Sequence, residues 1–82
     1  EIYPQVLKNV RVKDKKAAQD DAAVQAEVAK VSEKLGSEGR ILLRQSGTEP
    51  VVRVMVEAPT TGQCEMLVDQ VIEVMKAQGH VL

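Results

Sequence analysis

The chain has 82 residues, 44% of them apolar, which is enough for one hydrophobic core and excludes wholesale disorder. Its formal charge is −1, from 11 Lys and Arg against 12 Asp and Glu, so no overall field draws it to a polyanion or a membrane. Phe and Trp are absent and Tyr3 is the sole aromatic, which removes the stacking platforms that hold single-stranded nucleic acid.

The first strand is predicted over Val6 to Val12, where Val6, Val10 and Val12 are the expected core positions. Lys13-Asp14-Lys15-Lys16 then reads as a solvated connection. It leads to Asp20 and Asp21, whose carboxylates suit helix capping; their spacing with Asp14 lacks the Gly and distal Glu of a calcium loop. Val24, Val28, Val31 and Leu35 recur at i, i+4, i+7 and i+11, predicting a helix from Asp21 to Leu35 that Gly36 ends in a left-handed cap.

After the turn Ser37-Glu38-Gly39, Arg40 to Arg44 and Val51 to Val56 have the continuous apolar centres of strands buried on both faces, and Gln45 to Pro50 reads as a hairpin loop. Thr60 and Gln63 stand at capping-box spacing before a second helix, whose stripe is Cys64, Leu67, Val68, Val71, Ile72 and Met75 and which ends near Gly79. Cys64 is expected as a buried, unreactive thiol, the methionines as core or rim filler, and His80 as part of a frayed tail. Val81-Leu82 offer a fourth strand. The predicted architecture is α+β: a two-layer β-α-β-β-α domain, two helices on one face of a mainly antiparallel sheet.

The lone cysteine cannot close an internal disulfide, and neither it nor His80 has zinc-ligating spacing, so a reducing cytoplasm is the expected compartment. No apolar run reaches the roughly 18 residues of a membrane span, and Glu1-Ile2-Tyr3-Pro4 does not resemble a signal peptide. With no initiator Met, residues 1–82 read as a single domain cut from a longer protein.

Chemistry concentrates in Arg44-Gln45-Ser46-Gly47-Thr48-Glu49-Pro50-Val51-Val52-Arg53. Gly47 can bring bare backbone N–H close to a phosphate and adopt positive φ, and Ser46 and Thr48 add hydroxyl donors. Arg44 and Arg53 supply guanidinium forks that match phosphate oxygens, Glu49 can orient an arginine or accept from a sugar hydroxyl, and Pro50 stiffens the exit. Arg40, Arg44 and Arg53 against Glu49 leave a local +2 in a slightly acidic chain. The segment is no Walker loop, lacking Gly-Lys-Ser/Thr before a helix. Ser-Gly-Thr is also common turn chemistry, and strand-end arginines often reach out to water, so the residues alone leave both readings open.

The stretch from Gly39 to Ala58 closely resembles the C-terminal domain signature of the α-D-phosphohexomutase family. Pro4 to Val10 resembles the beginning of that domain, so the likeness covers essentially the whole chain. Its centre is the Arg-x-Ser-Gly-Thr-Glu-Pro-x-x-Arg loop, and Arg53-Val54-Met55-Val56-Glu57 favours the glucosamine branch over the phosphomannomutase/phosphoglucomutase branch.

The resemblance implies a four-domain enzyme that interconverts glucosamine 6-phosphate and glucosamine 1-phosphate through a bisphosphate, for UDP-N-acetylglucosamine and the bacterial wall. A phosphoserine of the first domain transfers the phosphoryl group, and aspartates of the second hold Mg2+. Residues 1–82 would be the fourth domain, similar in fold to the TATA-box-binding protein, clamping the phosphate that is not reacting. Carried onto this sequence, Arg44, Ser46, Gly47 and Thr48 contact that phosphate, Arg53 contacts or supports it, and Glu49 and Pro50 shape the loop. Gln45 departs from the family, where proline or lysine is more usual.

The resemblance puts no catalytic group and no metal ligand in this chain, which alone should be inert. It implies the phosphosugar and the other three domains as partners, without nucleic acid or membrane. Rival readings are the same domain of a phosphomannomutase/phosphoglucomutase, a nucleic-acid-binding module, which the charge and missing aromatics disfavour, and a structural lid with an incidental turn.

Overall fold

The computed structural model describes residues 3–82. Alternating residues form β1 (Gln5–Arg11), the apolar runs form β2 (Arg40–Gln45) and β3 (Val51–Glu57), and the sheet order is β1-β3-β2, antiparallel throughout. The periodic segments form α2 (Ala22–Leu35) and α3 (Thr61–Ala77). Asp21 caps α2 by accepting from the N–H of Ala23 and Val24 at 2.7 and 3.1 Å. The Thr60 hydroxyl accepts from the Gln63 N–H at 3.1 Å, while the Gln63 side chain meets that hydroxyl rather than the Thr60 backbone, so half of the expected capping box forms.

The helices cover one face of the sheet. Val10, Val52, Val54 and Val56 project into that layer and meet Val24, Val31 and Leu35 of α2 and Cys64, Leu67, Val68, Val71 and Met75 of α3 in one core. Cys64 is fully buried, with its thiol donating to the Pro4 carbonyl at 3.3 Å. Met75 is buried, Met55 half-buried and Met66 exposed.

Five expectations change. Lys13 to Lys16 is not merely a solvated link: Asp14 caps a short helix, α1 (Lys15–Asp20), whose one buried residue is Ala18. Neither apolar strand is buried on both faces. Helices cover one side only, so Arg53 is exposed, Leu42 and Met55 are half-buried, and β2 also has a free edge.

Gly36 has φ 58° but ψ −127°, outside the left-handed helical well, and begins a 3₁₀ turn (Gly36–Glu38). Val81 makes one bridge to Val12 and no fourth strand. The tail is also not frayed: the His80 carbonyl accepts from the Lys13 N–H at 2.9 Å, and His80 Nε2 lies 2.8 Å from Asp21 Oδ2. These contacts hold the last residues against the start of α2 and the end of β1.

Gly39 sets the approach of the turn to the sheet. Its backbone is extended, but a Cβ there would lie 2.1 Å from the Glu57 carbonyl oxygen, so the requirement is space rather than dihedral freedom.

Candidate phosphate site

Strand register decides which side chains share the open face. Leu7, Met55 and Leu42 form one cross-strand row, Asn9, Arg53 and Arg44 the next, and Arg11 with Val51 the last row before the loop. The face therefore passes from an apolar stripe to a cationic end, with Ser46 to Pro50 at its margin. Arg44 and Arg53 are direct register partners, an arrangement of like charges that costs stability without a counter-ion.

Two depressions meet at Arg53. One, of about 260 Å³, is lined by Asn9, Arg11, Ser46, Glu49, Val51 and Arg53. The other, of about 250 Å³, is lined by Leu7, Leu42, Arg44, Arg53 and Met55. Arg11, Arg44 and Arg53 form no ion pair among the described residues, and neither does Glu49.

The structure thus gathers Arg44, Ser46, Glu49 and Arg53. Gly47, Thr48 and Pro50 line neither depression. Gly47 does not take positive φ, contrary to expectation, and a Cβ there would stand in open space. The Ser46 hydroxyl accepts weakly from the N–H of Thr48 and Glu49, at 3.5 and 3.4 Å, leaving its own proton to donate. Pro50 fixes the exit through its carbonyl, which accepts from the Val12 N–H at 2.9 Å.

Arg40, counted in the local charge from sequence, does not belong to this end. It begins β2, roughly 13 Å along the strand from Arg44 at about 3.3 Å per residue, and pairs with Glu57 at 3.4 Å. Arg11 takes its place: three guanidiniums against the Glu49 carboxylate keep the net at +2 with different members. Sequence reasoning missed Arg11 and Asn9, whose only signal was their alternation along β1.

It also missed the support beneath the loop. Lys15 of α1 donates to the Ser46 carbonyl at 2.7 Å, and Gln19 donates to the Leu43 carbonyl at 3.0 Å while accepting from the Gln45 side chain. Gln45 is therefore engaged with α1.

The fold, the Ser-Gly-Thr hairpin and the two facing arginines make the open end of the sheet a candidate anion site. Residues 7–74 match the family model for the phosphoglucomutase/phosphomannomutase C-terminal domain, and the chain belongs to that family. Among curated relatives it is similar to the phosphoglucosamine mutase of Lachnospira eligens, at 64% identity over 81 residues, 99% of this chain and 18% of that protein. It is 53% identical over 76 residues to the phosphoglucosamine mutase of Shouchella clausii, covering 93% of this chain and 17% of that protein. The chain thus spans under a fifth of the length of these relatives.

Among solved structures, Aspergillus fumigatus N-acetylphosphoglucosamine mutase in complex with glucose 1,6-bisphosphate superposes with a TM-score of 0.79 at 25% identity, over 96% of this chain and 16% of that one. The same enzyme with GlcNAc-6P and magnesium gives a TM-score of 0.75 at 26% identity, over 94% of this chain and 16% of that one. The resemblance read from the loop thus extends to the family and to the fold.

Proposed function

We propose that this chain serves as the phosphate-clamping C-terminal lobe of a bacterial phosphoglucosamine mutase, acting on glucosamine 6-phosphate and glucosamine 1-phosphate through a bisphosphate. The observation that carries the reading is the cationic end of the open face, where Arg44 and Arg53 stand side by side without ion-pair partners among the described residues and Ser46 offers a hydroxyl. A phosphate monoester would relieve the repulsion between the two guanidiniums and accept their N–H groups in pairs. Gly47 and Thr48 at the open tip would close on its remaining oxygens. The names of the relatives favour the glucosamine branch over phosphomannomutase or phosphoglucomutase.

A mutase that uses both ends of a bisphosphorylated sugar needs one contact that reads phosphate and ignores the carbon bearing it. A cradle of arginine and hydroxyl donors meets that need, and holding the distal phosphate orients the reacting end toward groups supplied by the other three domains. The magnesium and GlcNAc-6P bound to the Aspergillus enzyme support Mg2+ and a phosphosugar for the whole protein. Following the family resemblance, we assign the Mg2+ ligands and the phosphoserine to other parts of the enzyme. No helix among the described residues is long and apolar enough to cross a membrane. A cytoplasmic place in peptidoglycan-precursor synthesis follows from the proposed substrate.

Titration of the chain with glucosamine 6-phosphate or inorganic phosphate, followed by amide chemical shifts, tests the assignment. Ser46, Gly47 and Thr48 should move at millimolar ligand, and Arg44→Ala or Ser46→Ala should abolish or strongly weaken the effect. Shifts elsewhere with none in this loop would refute the site.

A further inference from the structure

We infer that Arg11 is a third phosphate ligand, reaching the site from β1, outside the loop that carries the family motif. The inference rests on the phosphate-clamp reading and adds a residue to it. Arg11 ends β1 opposite Val51, on the open face, and its side chain lines the same depression as Ser46, Glu49 and Arg53. Its place is fixed from both sides. The next residue, Val12, is fully buried and donates its N–H to the Pro50 carbonyl at 2.9 Å, tying β1 to the exit of the loop. The Arg11 carbonyl accepts from the Leu82 N–H at 3.1 Å, and Val81 bridges to Val12.

Geometry and charge then agree. Arg11 forms no ion pair among the described residues, and Glu49, in the same depression, pairs with neither Arg11 nor Arg53. Two cations and one carboxylate around a polar cavity leave it receptive to a dianion. Arg53 of β3 lines both depressions, so a phosphate beside it would meet Arg11 of β1 on one side and, in the adjoining depression, Arg44 of β2 on the other. A ligand held from three strands has a fixed orientation that two adjacent forks on one hairpin do not impose. The chemistry recognised is a phosphate monoester dianion.

The test compares variants of the 82-residue chain titrated with inorganic phosphate and with glucosamine 6-phosphate at 0.15 M salt, reading both loop amides and arginine Nε signals. Arg11→Gln should weaken affinity about tenfold, the scale of one charge-assisted contact, and Arg11→Lys should recover part of it. In the unmodified chain the Arg11 Nε signal should shift together with those of Arg44 and Arg53. Lys13→Gln, which removes the same charge two residues away and outside the depression, should leave affinity unchanged.

Equal losses in Arg11→Gln and Lys13→Gln would mean a long-range field and overturn the inference. So would loop amides that titrate with full affinity in Arg11→Gln; in that case the clamp reading survives and only Arg11 is excluded. Absence of any shift in the loop would remove the clamp reading, and the inference with it. An unchanged amide spectrum away from the site confirms that each variant is folded.

Discussion

Arg44 and Arg53 are held in register on adjacent strands and form no ion pair among the described residues, so under the proposed clamp stability and binding pull in opposite directions at this pair. Arg44→Gln should stabilise the unliganded fold by about a few tenths of a kcal/mol, with the gain shrinking as salt rises, while phosphate affinity falls. Urea unfolding at low and high ionic strength measures the first effect; a loss of stability at low salt would show that the guanidiniums do not repel. Asp21 is coupled to pH in another way. The hydrogen bond with His80, followed by those from the N–H groups of Val24 and Ala23, holds its carboxyl below its ordinary 3.8. A group with a depressed folded-state pKa stabilises the fold above its unfolded pKa, and that contribution is lost as pH falls through the folded value. Asp21→Asn keeps an oxygen to cap α2 but cannot be protonated. Thermal unfolding between pH 7 and 2.5 should therefore give a flatter acid limb for the variant than for the parent below roughly pH 4, and parallel limbs would exclude Asp21 as the source.

The element least visible in the sequence, α1, carries the loop. Its residues Lys-Lys-Ala-Ala-Gln-Asp offer no apolar stripe, and burial rests on Ala18 alone, so periodicity has nothing to register there; the helix is made by the Asp14 cap and by contact with β2 and β3. The longer helices were legible because their stripes are complete, and the hairpin site because Arg44 to Arg53 is contiguous. Arg11 was not, because only the strand order β1-β3-β2 brings it beside Ser46. The continuous valines of β3 mimic a strand covered twice, and only Arg53 hinted that one face is open. With its ammonium on the Ser46 carbonyl, Lys15 holds the loop from below. Lys15→Met keeps the stem and the helix propensity and removes the donor. It should speed amide exchange in residues 46–49 and lower phosphate affinity by about threefold, less than the loss of a direct charged contact because Lys15 acts through the loop, with global stability nearly unchanged. Lys15→Arg should restore most of the binding. Unaltered exchange and affinity in Lys15→Met would reduce the contact to a surface accident.

At the scale of the whole molecule, a clamp and a catalyst predict different behaviour from the same 82 residues. The open face of the sheet ends in arginines, and the lone thiol is buried away from that end. The described residues hold no cluster of potential metal ligands beside the arginines. A ligand that binds only the folded state stabilises it by RT ln(1 + [L]/Kd), about 1.4 kcal/mol at ten times Kd. In a domain of this size that raises the melting temperature by roughly 6 to 11 °C. Inorganic phosphate and glucosamine 6-phosphate should both produce such a shift at tens of millimolar, while chloride at matched ionic strength should not, since screening alone lacks the geometry of the site. In the same samples, phosphorus NMR should detect no glucosamine 1-phosphate, because the phosphoryl donor and the Mg2+ ligands lie in the other domains of the proposed enzyme. Turnover by the chain alone would contradict this division of labour, and equal stabilisation by chloride would reduce the cationic end to a surface that salt merely screens.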